Sequence, residues 1–277
     1  MRLFTRFSSL LISIAPLVAC SDSLSDADSE NGPDALTSAS KPTNPIPIKS
    51  EMVTALATAA GVPYFVYVSD LYNIKHTVPT KALVWLHGCF GKAEDEAETV
   101  SVAHQSWITI SVGGETGKDS CWDVTRDREK VLAALDDVKT RINIDASKIV
   151  LGGYSSGGDL AYRLAYESPK AFAGVLVENT SPFRDTGLTQ KDALAPFKAP
   201  SSFKPNVTHV AHGGDATYPI DGVRAETQAL VEAGFHLKLI VVPGNHWDGD
   251  DKPGFGTVFD RRKYLLPWLN AGWTSPQ

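Results

Sequence analysis

One serine stands in a G-x-S-x-G pattern, as Gly153-Tyr154-Ser155-Ser156-Gly157. The apolar, β-branched run from Lys148 to Leu151 before it is typical of a buried strand, and the residues after it have helical spacing. A serine nucleophile needs a sharp strand-to-helix turn, where small neighbours avoid collisions. The pattern therefore predicts Ser155 as a nucleophile; the alternative is a glycine-rich turn with an ordinary surface serine.

A serine hydroxyl also needs a base, held in one tautomer by a carboxylate. In the chain order serine, acid, base, the partners follow later strands of the same sheet. Asp215 and His246 occupy such positions, in the runs His212-Gly213-Gly214-Asp215 and Pro243-Gly244-Asn245-His246-Trp247. We predict Asp215 as the acid and His246 as the base. The competing acids are Asp221, Glu178 and Asp248, and among the other histidines His87 is expected to brace its loop.

Backbone amides must hold the oxyanion that forms on an attacked carbonyl. Ser156 opens the helix after the nucleophile, so its amide is one predicted donor. The second donor is expected after the strand Lys81 to His87, where the amide of Cys89 is the candidate and that of Phe90 the alternate. The aromatic residues expected to line the cleft are Phe90, Trp122 and Trp247, with plain packing as the alternative.

The elements that must position these residues alternate between strands and helices. Strands are predicted at 64–69, 81–87, 106–112, 148–151, 173–177, 206–211 and 236–242, and helices at 123–142, after Ser155, at 221–233 and at 260–269. Such alternation predicts an α/β domain with a mostly parallel central sheet flanked by helices. Its functional loops lie at the carboxyl ends of the strands. The irregular segment 180–205 is too short for a large lid.

The N-terminus reads as a targeting segment and a tether. Arg2 and Arg6 precede a short apolar run, and Leu17-Val18-Ala19-Cys20 resembles the lipobox of bacterial lipoproteins. We predict a signal peptide over 1–19, a lipidated Cys20 with a disordered linker over 20–50, and a catalytic domain over 51–277. The alternatives are an ordinary signal peptide or a short membrane anchor. The prediction implies a periplasmic or cell-surface lipoprotein of the bacterial envelope, and Ser21 favours the outer membrane.

Composition limits the partners and the chemistry. The net charge is −6 and the basic residues do not cluster, which argues against a nucleic-acid partner. No metal site or cofactor is predicted, because Asp248, Asp250 and Asp251 lack the spacing of a calcium loop. Of the 3 cysteines, Cys89 and Cys121 remain if Cys20 carries lipid, and an oxidising compartment favours a disulfide between them over two buried thiols. A monomer is expected.

Together these motifs resemble the α/β-hydrolase superfamily, and more narrowly the secreted esterases that include polyhydroxybutyrate depolymerases and feruloyl and acetylxylan esterases. The resemblance is carried by Leu86-His87-Gly88-Cys89, Cys121-Trp122, and the serine and histidine motifs. It implies an α/β-hydrolase fold and a serine esterase that hydrolyses short-chain, hydroxycinnamoyl or acetyl-sugar carboxylic esters, small or polymeric, through an acyl-enzyme. The alternatives are a polyhydroxyalkanoate depolymerase, an acyltransferase with the same triad, and a non-catalytic lipoprotein binding module.

Two departures from that family pattern bear on the substrate. The run from His212 to Pro219 is HGGDATYP, one residue shorter before the aspartate than the usual acid turn. His246 and Trp247 are adjacent, where relatives often separate them. Neither change removes a predicted catalytic side chain.

Overall fold

The structure, a computed structural model, describes residues 42–68, 79–99 and 107–247 of the chain. The predicted signal peptide, Cys20, most of the linker, Asp248 and the helix predicted at 260–269 lie outside the described residues. In the described part, no helix is long and apolar enough to cross a membrane.

An 8-stranded sheet forms the centre of the fold, in the order β1-β2-β4-β3-β5-β6-β7-β8. The strands are β1 (Val53–Ala57), β2 (Pro63–Val68), β3 (Thr80–Leu86), β4 (Trp107–Val112), β5 (Ile144–Tyr154), β6 (Gly174–Glu178), β7 (Asn206–His212) and β8 (Leu237–Val242). β2 pairs antiparallel with β1 and β4, and the pairings from β4 to β8 are parallel. The predicted mostly parallel sheet is therefore confirmed.

Helices cover the sheet. They are α1 (Ala93–Thr99), α2 (Arg128–Arg141), α3 (Ser156–Glu167), α4 (Gln190–Leu194) and α5 (Ile220–Glu232). Strands β4, β6 and β7 are buried along their whole length, as expected of parallel strands covered on both faces. Between β6 and β7 the chain forms only α4 and a short 3₁₀ turn, so this segment contains no large lid.

The helix predicted from Asp123 begins later, at Arg128. Asp127 explains the difference, because its carboxylate accepts the backbone N–H groups of Asp123 and Thr116, each at 2.9 Å. Those bonds fold residues 123–127 into a turn before the helix starts. The sequence analysis also did not predict β1 or α1. β1 is a short edge strand without a clear buried face, and α1 is a polar helix with the sequence AEDEAET.

The last residues of the predicted linker pack on the domain. Ile48 is buried in the main apolar core, and Ile46 packs against that core. The backbone N–H of Asn44 donates to the carbonyl of Thr140 at the end of α2, at 2.8 Å. The packed domain thus extends several residues upstream of position 51.

Candidate active site

Ser155 lies in the tight turn between β5 and α3. Its φ is +52° and its ψ −123°, a strained conformation for a residue with a side chain. Its backbone N–H is held by the carbonyl of Glu178 at 3.0 Å. A Cβ at Gly153 would come within 2.4 Å of the Gly157 backbone, and one at Gly157 within 2.1 Å of the Leu86 carbonyl. The glycines of the motif are therefore required by close packing of the turn.

Three of the predicted side chains form one hydrogen-bonded chain. Ser155 Oγ lies 3.0 Å from His246 Nε2, and His246 Nδ1 lies 2.8 Å from Asp215 Oδ2. All three residues are buried. When Nδ1 carries the proton that it donates to Asp215, Nε2 is free to accept the proton of the Ser155 hydroxyl.

The turn after β7 keeps the Asp215 carboxylate charged. Its Oδ1 accepts the backbone N–H groups of Thr217 at 2.7 Å and Tyr218 at 2.9 Å, while Oδ2 faces His246. Burial acts to raise the pKa of Asp215, but the bonds from His246 and the two amides outweigh it and lower that pKa below its usual value. A charged carboxylate at this position stabilises an imidazolium on His246.

Residues that the sequence analysis missed hold the backbone of the histidine turn. The hydroxyl of Tyr154 and the side-chain amide of Asn179 (3.2 Å) both donate to the carbonyl oxygen of His246. Asn179 also accepts the backbone N–H of His212 at 2.9 Å, which ties the ends of β6 and β7 to that turn. Tyr154 lies inside the serine motif at the end of β5, and Asn179 directly follows β6. Their positions at the carboxyl ends of strands were the sequence feature that could have indicated a role in the site.

The Tyr218 ring stacks on the His246 imidazole, with centroids 5.5 Å apart. Tyr218 follows Asp215 by three residues, in the turn that supplies the carboxylate. The sequence analysis did not single it out. A tyrosine in the same turn as Asp215 is nevertheless expected near His246, because Asp215 bonds that histidine. The imidazole therefore has an aromatic neighbour as well as its two hydrogen-bond partners.

The two predicted oxyanion donors lie next to each other. A Cβ at Gly88 would come within 3.3 Å of Ser155 Cβ, and the Cys89 sulfur lies 3.4 Å from Ser156 Oγ, so this loop packs directly on the serine turn. The alternate donor is already bonded, because the Phe90 N–H donates to the Asp119 carbonyl at 2.8 Å. Within the described residues, the amides of Cys89 and Ser156 have no acceptor.

Cys89 and Cys121 form the predicted disulfide. The bridge joins the Cys89 loop to the loop that carries Trp122. Trp122 is only 5% exposed, and its indole N–H donates to the His87 carbonyl at 2.9 Å. Of the three predicted cleft aromatics, Trp122 is thus buried, and its side chain supports the Cys89 loop.

Phe90 and Trp247, in contrast, are exposed. Phe90 is 67% exposed and Trp247 64%, and their ring centroids are 6.3 Å apart. Trp247 also packs edge-on against the His246 imidazole, at 4.9 Å between centroids. The two rings therefore form an open aromatic pair beside the serine and its base, which we call the aromatic pair.

The competing residues have other partners. His87 is buried, with Nδ1 2.8 Å from the Gly88 carbonyl and Nε2 3.3 Å from Glu115, as expected of a loop brace. His209 contacts the Tyr162 hydroxyl at 2.9 Å, and burial lowers its pKa to about 3. Asp221 is exposed on α5, and Glu178 contributes its carbonyl to Ser155. In the described part of the chain, no group of three or more His, Cys, Asp or Glu side chains could hold a metal ion.

Comparison with known proteins identifies the fold. Esterase 2 of Thermogutta terrifontis, in a form phosphorylated by paraoxon, superposes with a TM-score of 0.61 at 15% identity, covering 83% of this chain and 98% of that one. The S-formylglutathione hydrolase of Staphylococcus aureus gives 0.57 at 15% identity, covering 79% and 95%. Dipeptidyl peptidase 4 of Porphyromonas gingivalis gives 0.59 at 15% identity, covering 80% and 35%. The protein has the α/β-hydrolase fold.

Sequence similarity is weaker than structural similarity. No protein-family model matches the chain. A Haemophilus influenzae protein assigned as an esterase/lipase is 22% identical over 136 residues, covering 49% of this chain and 47% of that protein. The chain thus spans about half the length of this curated relative.

Proposed function

We propose that the protein is a serine esterase that hydrolyses carboxylic esters through an acyl-enzyme on Ser155. The observation that carries this proposal is the continuous hydrogen-bonded chain from Ser155 Oγ through His246 to Asp215. Solved relatives of the fold include proteins named as esterases and hydrolases, which supports a hydrolase reaction.

In this reaction, His246 Nε2 accepts the Ser155 proton as Oγ attacks the ester carbonyl carbon. The amides of Cys89 and Ser156 stabilise the negative oxygen of the tetrahedral intermediate. The imidazolium then donates its proton to the leaving alcohol as the carbon–oxygen bond breaks. His246 next deprotonates a water that attacks the acyl-enzyme, and the collapse of the second intermediate returns that proton to Ser155. Asp215 holds the imidazole and stabilises its cation throughout.

The aromatic pair supports substrates with a ring-bearing or otherwise apolar group. Phe90 and Trp247 expose large apolar faces next to the base, and such faces stack on planar groups. A hydroxycinnamoyl ester fits this surface better than an acetate ester does. We therefore expect Phe90→Ala and Trp247→Ala to raise KM for a feruloyl ester several-fold more than for p-nitrophenyl acetate, as measured by initial rates.

The direct test of the activity is Ser155→Ala, with Ser147→Ala as the matched control. Ser147 lies in β5, near the end of the strand away from Ser155, and its hydroxyl donates to Asp145. We expect Ser155→Ala to lose hydrolysis of p-nitrophenyl acetate by roughly 10⁶-fold, and Ser147→Ala to retain it. Mass spectrometry after a fluorophosphonate should show one adduct, on Ser155. Wild-type hydrolysis in Ser155→Ala would remove the proposed nucleophile, and an inert wild type would favour a binding module.

We also propose that Cys20 carries lipid and tethers the domain to the bacterial envelope. The support is the motif Leu17-Val18-Ala19-Cys20, together with the Cys89–Cys121 disulfide, which is typical of an oxidising compartment. Metabolic labelling with an alkyne fatty acid should mark the wild type but not Cys20→Ala. Equal labelling of both would contradict the proposal.

A further inference from the structure

Asp159 is a buried carboxylate that the proposed reaction does not use. It lies four residues after Ser155 in the first turn of α3. Its Oδ1 accepts the hydroxyl of Thr180 at 2.5 Å, and its Oδ2 accepts the hydroxyl of Tyr218 at 2.6 Å. Burying a carboxylate without water is costly, and these two hydroxyls partly offset that cost.

Tyr218 connects this carboxylate to the acid and the base. Its backbone N–H binds Asp215, and its ring stacks on His246. On another side of the ring lies the Arg184 guanidinium, 4.3 Å from the centroid. The hydroxyl bond to Asp159 restrains the rotation and the tilt of the ring. One residue thus contacts both partners of Ser155, and its outer end is fixed by α3.

We propose that Asp159 is a positioning residue, which holds Tyr218 so that Tyr218 fixes the Asp215 carboxylate and the His246 imidazole relative to Ser155. This inference rests on the proposed function of those three residues. Its physical basis is that Asp159 and Ser155 share the start of one helix. The Asp159–Tyr218 bond therefore ties the acid turn to the helix that carries the nucleophile turn, independently of the bonds made by His246. Catalytic geometry that shifts by about 1 Å can cost on the order of 100-fold in rate.

The test compares Tyr218→Phe, Asp159→Ala and the double variant, with Tyr162→Phe as a matched control. Tyr162 is a buried tyrosine on the same helix, and its hydroxyl contacts His209 instead of Asp159. We expect Tyr218→Phe and Asp159→Ala each to lower kcat on p-nitrophenyl acetate by about 10- to 100-fold, with KM within about twofold. The double variant should lose no more than the worse single variant, because both changes break the same link.

The isosteric change Asp159→Asn should rescue most of kcat. Its side-chain oxygen can accept the Tyr218 hydroxyl, while its NH₂ group donates to Thr180. A residue needed only for folding would give losses that follow thermal stability, with no separation of kcat from KM. The inference is overturned if Tyr218→Phe and Asp159→Ala stay within about twofold of Tyr162→Phe, or if their losses multiply in the double variant. If Asp159→Ala does not fold, the inference is tested by comparing the kcat of Tyr218→Phe with that of Tyr162→Phe.

The rate of Ser155 labelling by a fluorophosphonate separates this inference from the proposed function. A wild type that does not react removes the proposed nucleophile, whatever the variants do. A wild type that reacts, with Tyr218→Phe reacting at the same rate, leaves the function intact and overturns only the role of Asp159. Slower labelling of Tyr218→Phe and Asp159→Ala than of Tyr162→Phe supports it.

Discussion

Asp215 and Asp159 are two carboxylates on either side of Tyr218, each only 4% exposed, yet their pKa values shift in opposite directions. Burial acts to raise both. At Asp215, bonds from His246 and two backbone amides outweigh burial and lower the pKa. At Asp159, the bonds from the Thr180 and Tyr218 hydroxyls and from the Ser181 backbone do not compensate for burial, nearby Asp185 adds repulsion, and the pKa rises to about 7.

The difference lies in the donors: Asp215 accepts from an imidazole and two backbone amides, whereas Asp159 accepts from two hydroxyls and one backbone amide. A backbone N–H in a fixed turn only donates, so it stabilises the charged carboxylate and cannot accept the proton of the neutral acid. A hydroxyl can also turn to accept the proton of a carboxylic acid, so it favours the charged form less strongly than a fixed N–H does. In the proposed reaction Asp215 must stabilise an imidazolium, and its donors keep it ionised. In its proposed positioning role Asp159 links two elements, and that role does not require it to be charged.

The largest expected effect compares Asp215→Asn with Asp159→Asn. Asp215→Asn should lower kcat by about 10⁴-fold, because an amide in place of the carboxylate favours the wrong tautomer of His246. Asp159→Asn should lower kcat by less than about tenfold, because an asparagine can still bond both hydroxyls. The measurement is kcat on p-nitrophenyl acetate at pH 8. Losses of equal size would mean that the charge on Asp159 matters for catalysis, and the division of roles between the two carboxylates would fail.

The second prediction concerns stability against pH. The folded-state pKa of Asp159 is raised, so the folded protein keeps a proton that the unfolded chain releases above its model value of 3.8. Its stabilising contribution is complete below about pH 4 and is lost as the pH rises through about 7. Asp215 has a lowered pKa, so its contribution is present above 3.8 and is lost only in stronger acid.

Urea unfolding at pH 5 and pH 8 measures this difference. The fall in the free energy of unfolding between the two values should be smaller in Asp159→Asn than in the wild type, by as much as about 3 kcal/mol. The other titrating groups are the same in both proteins, so the comparison isolates Asp159. An unchanged fall would show that the Asp159 pKa is not raised in the folded state.

The three side chains of the hydrogen-bonded chain could be brought together from the sequence because each depends on local order. Ser155 is marked by its own turn, and Asp215 and His246 follow predicted strands whose carboxyl ends meet at one edge of a parallel sheet. The disulfide followed from the compartment and the cysteine count. The predicted start of α2 was wrong because the Asp127 carboxylate binds the amides of Asp123 and Thr116 and so folds residues 123–127 into a turn.

The link between Asp159 and Tyr218 could not be predicted in the same way. The two residues are 59 positions apart, and their contact depends on how the turn after β7 lies against α3. In the sequence, Asp159 is an aspartate on a predicted helix and Tyr218 is a tyrosine next to a proline. Neither residue type in such a place indicates that the two are in contact. Trp122 posed a similar problem, because an aromatic residue near a predicted cleft can line it or support it from beneath. The packing of the side chain in the folded protein decides whether it lines the cleft or supports it, and the sequence does not show that packing.

The third prediction concerns the Cys89–Cys121 disulfide, which, unlike the bonds of Asp159 and Asp215, does not titrate. Replacing both Cys89 and Cys121 with alanine opens a loop with a sequence separation of 32 residues. The loss should be about 3 kcal/mol of unfolding free energy. Because no ionisable group is involved, the loss should be the same at pH 5 and pH 8, in contrast to Asp159→Asn. A loss that differs between the two pH values would indicate that the bridge and the Asp159 network are coupled.

The smallest expected effect isolates one of the two hydroxyls at Asp159. Thr180→Val keeps the side-chain shape but removes the donor to Asp159 Oδ1, so the ionised form loses one of its two hydroxyl bonds. The pKa of Asp159 should rise further above about 7, as followed by carbon NMR of its carboxyl group against pH. The free energy of unfolding should fall by about 1 kcal/mol more at pH 8 than at pH 5, because hydrogen bonds to a charged carboxylate are stronger than bonds to a neutral acid. A pKa that stays constant or falls would mean that the Thr180 hydroxyl does not favour the ionised form of Asp159, and the contrast with Asp215 would then rest on its remaining donors.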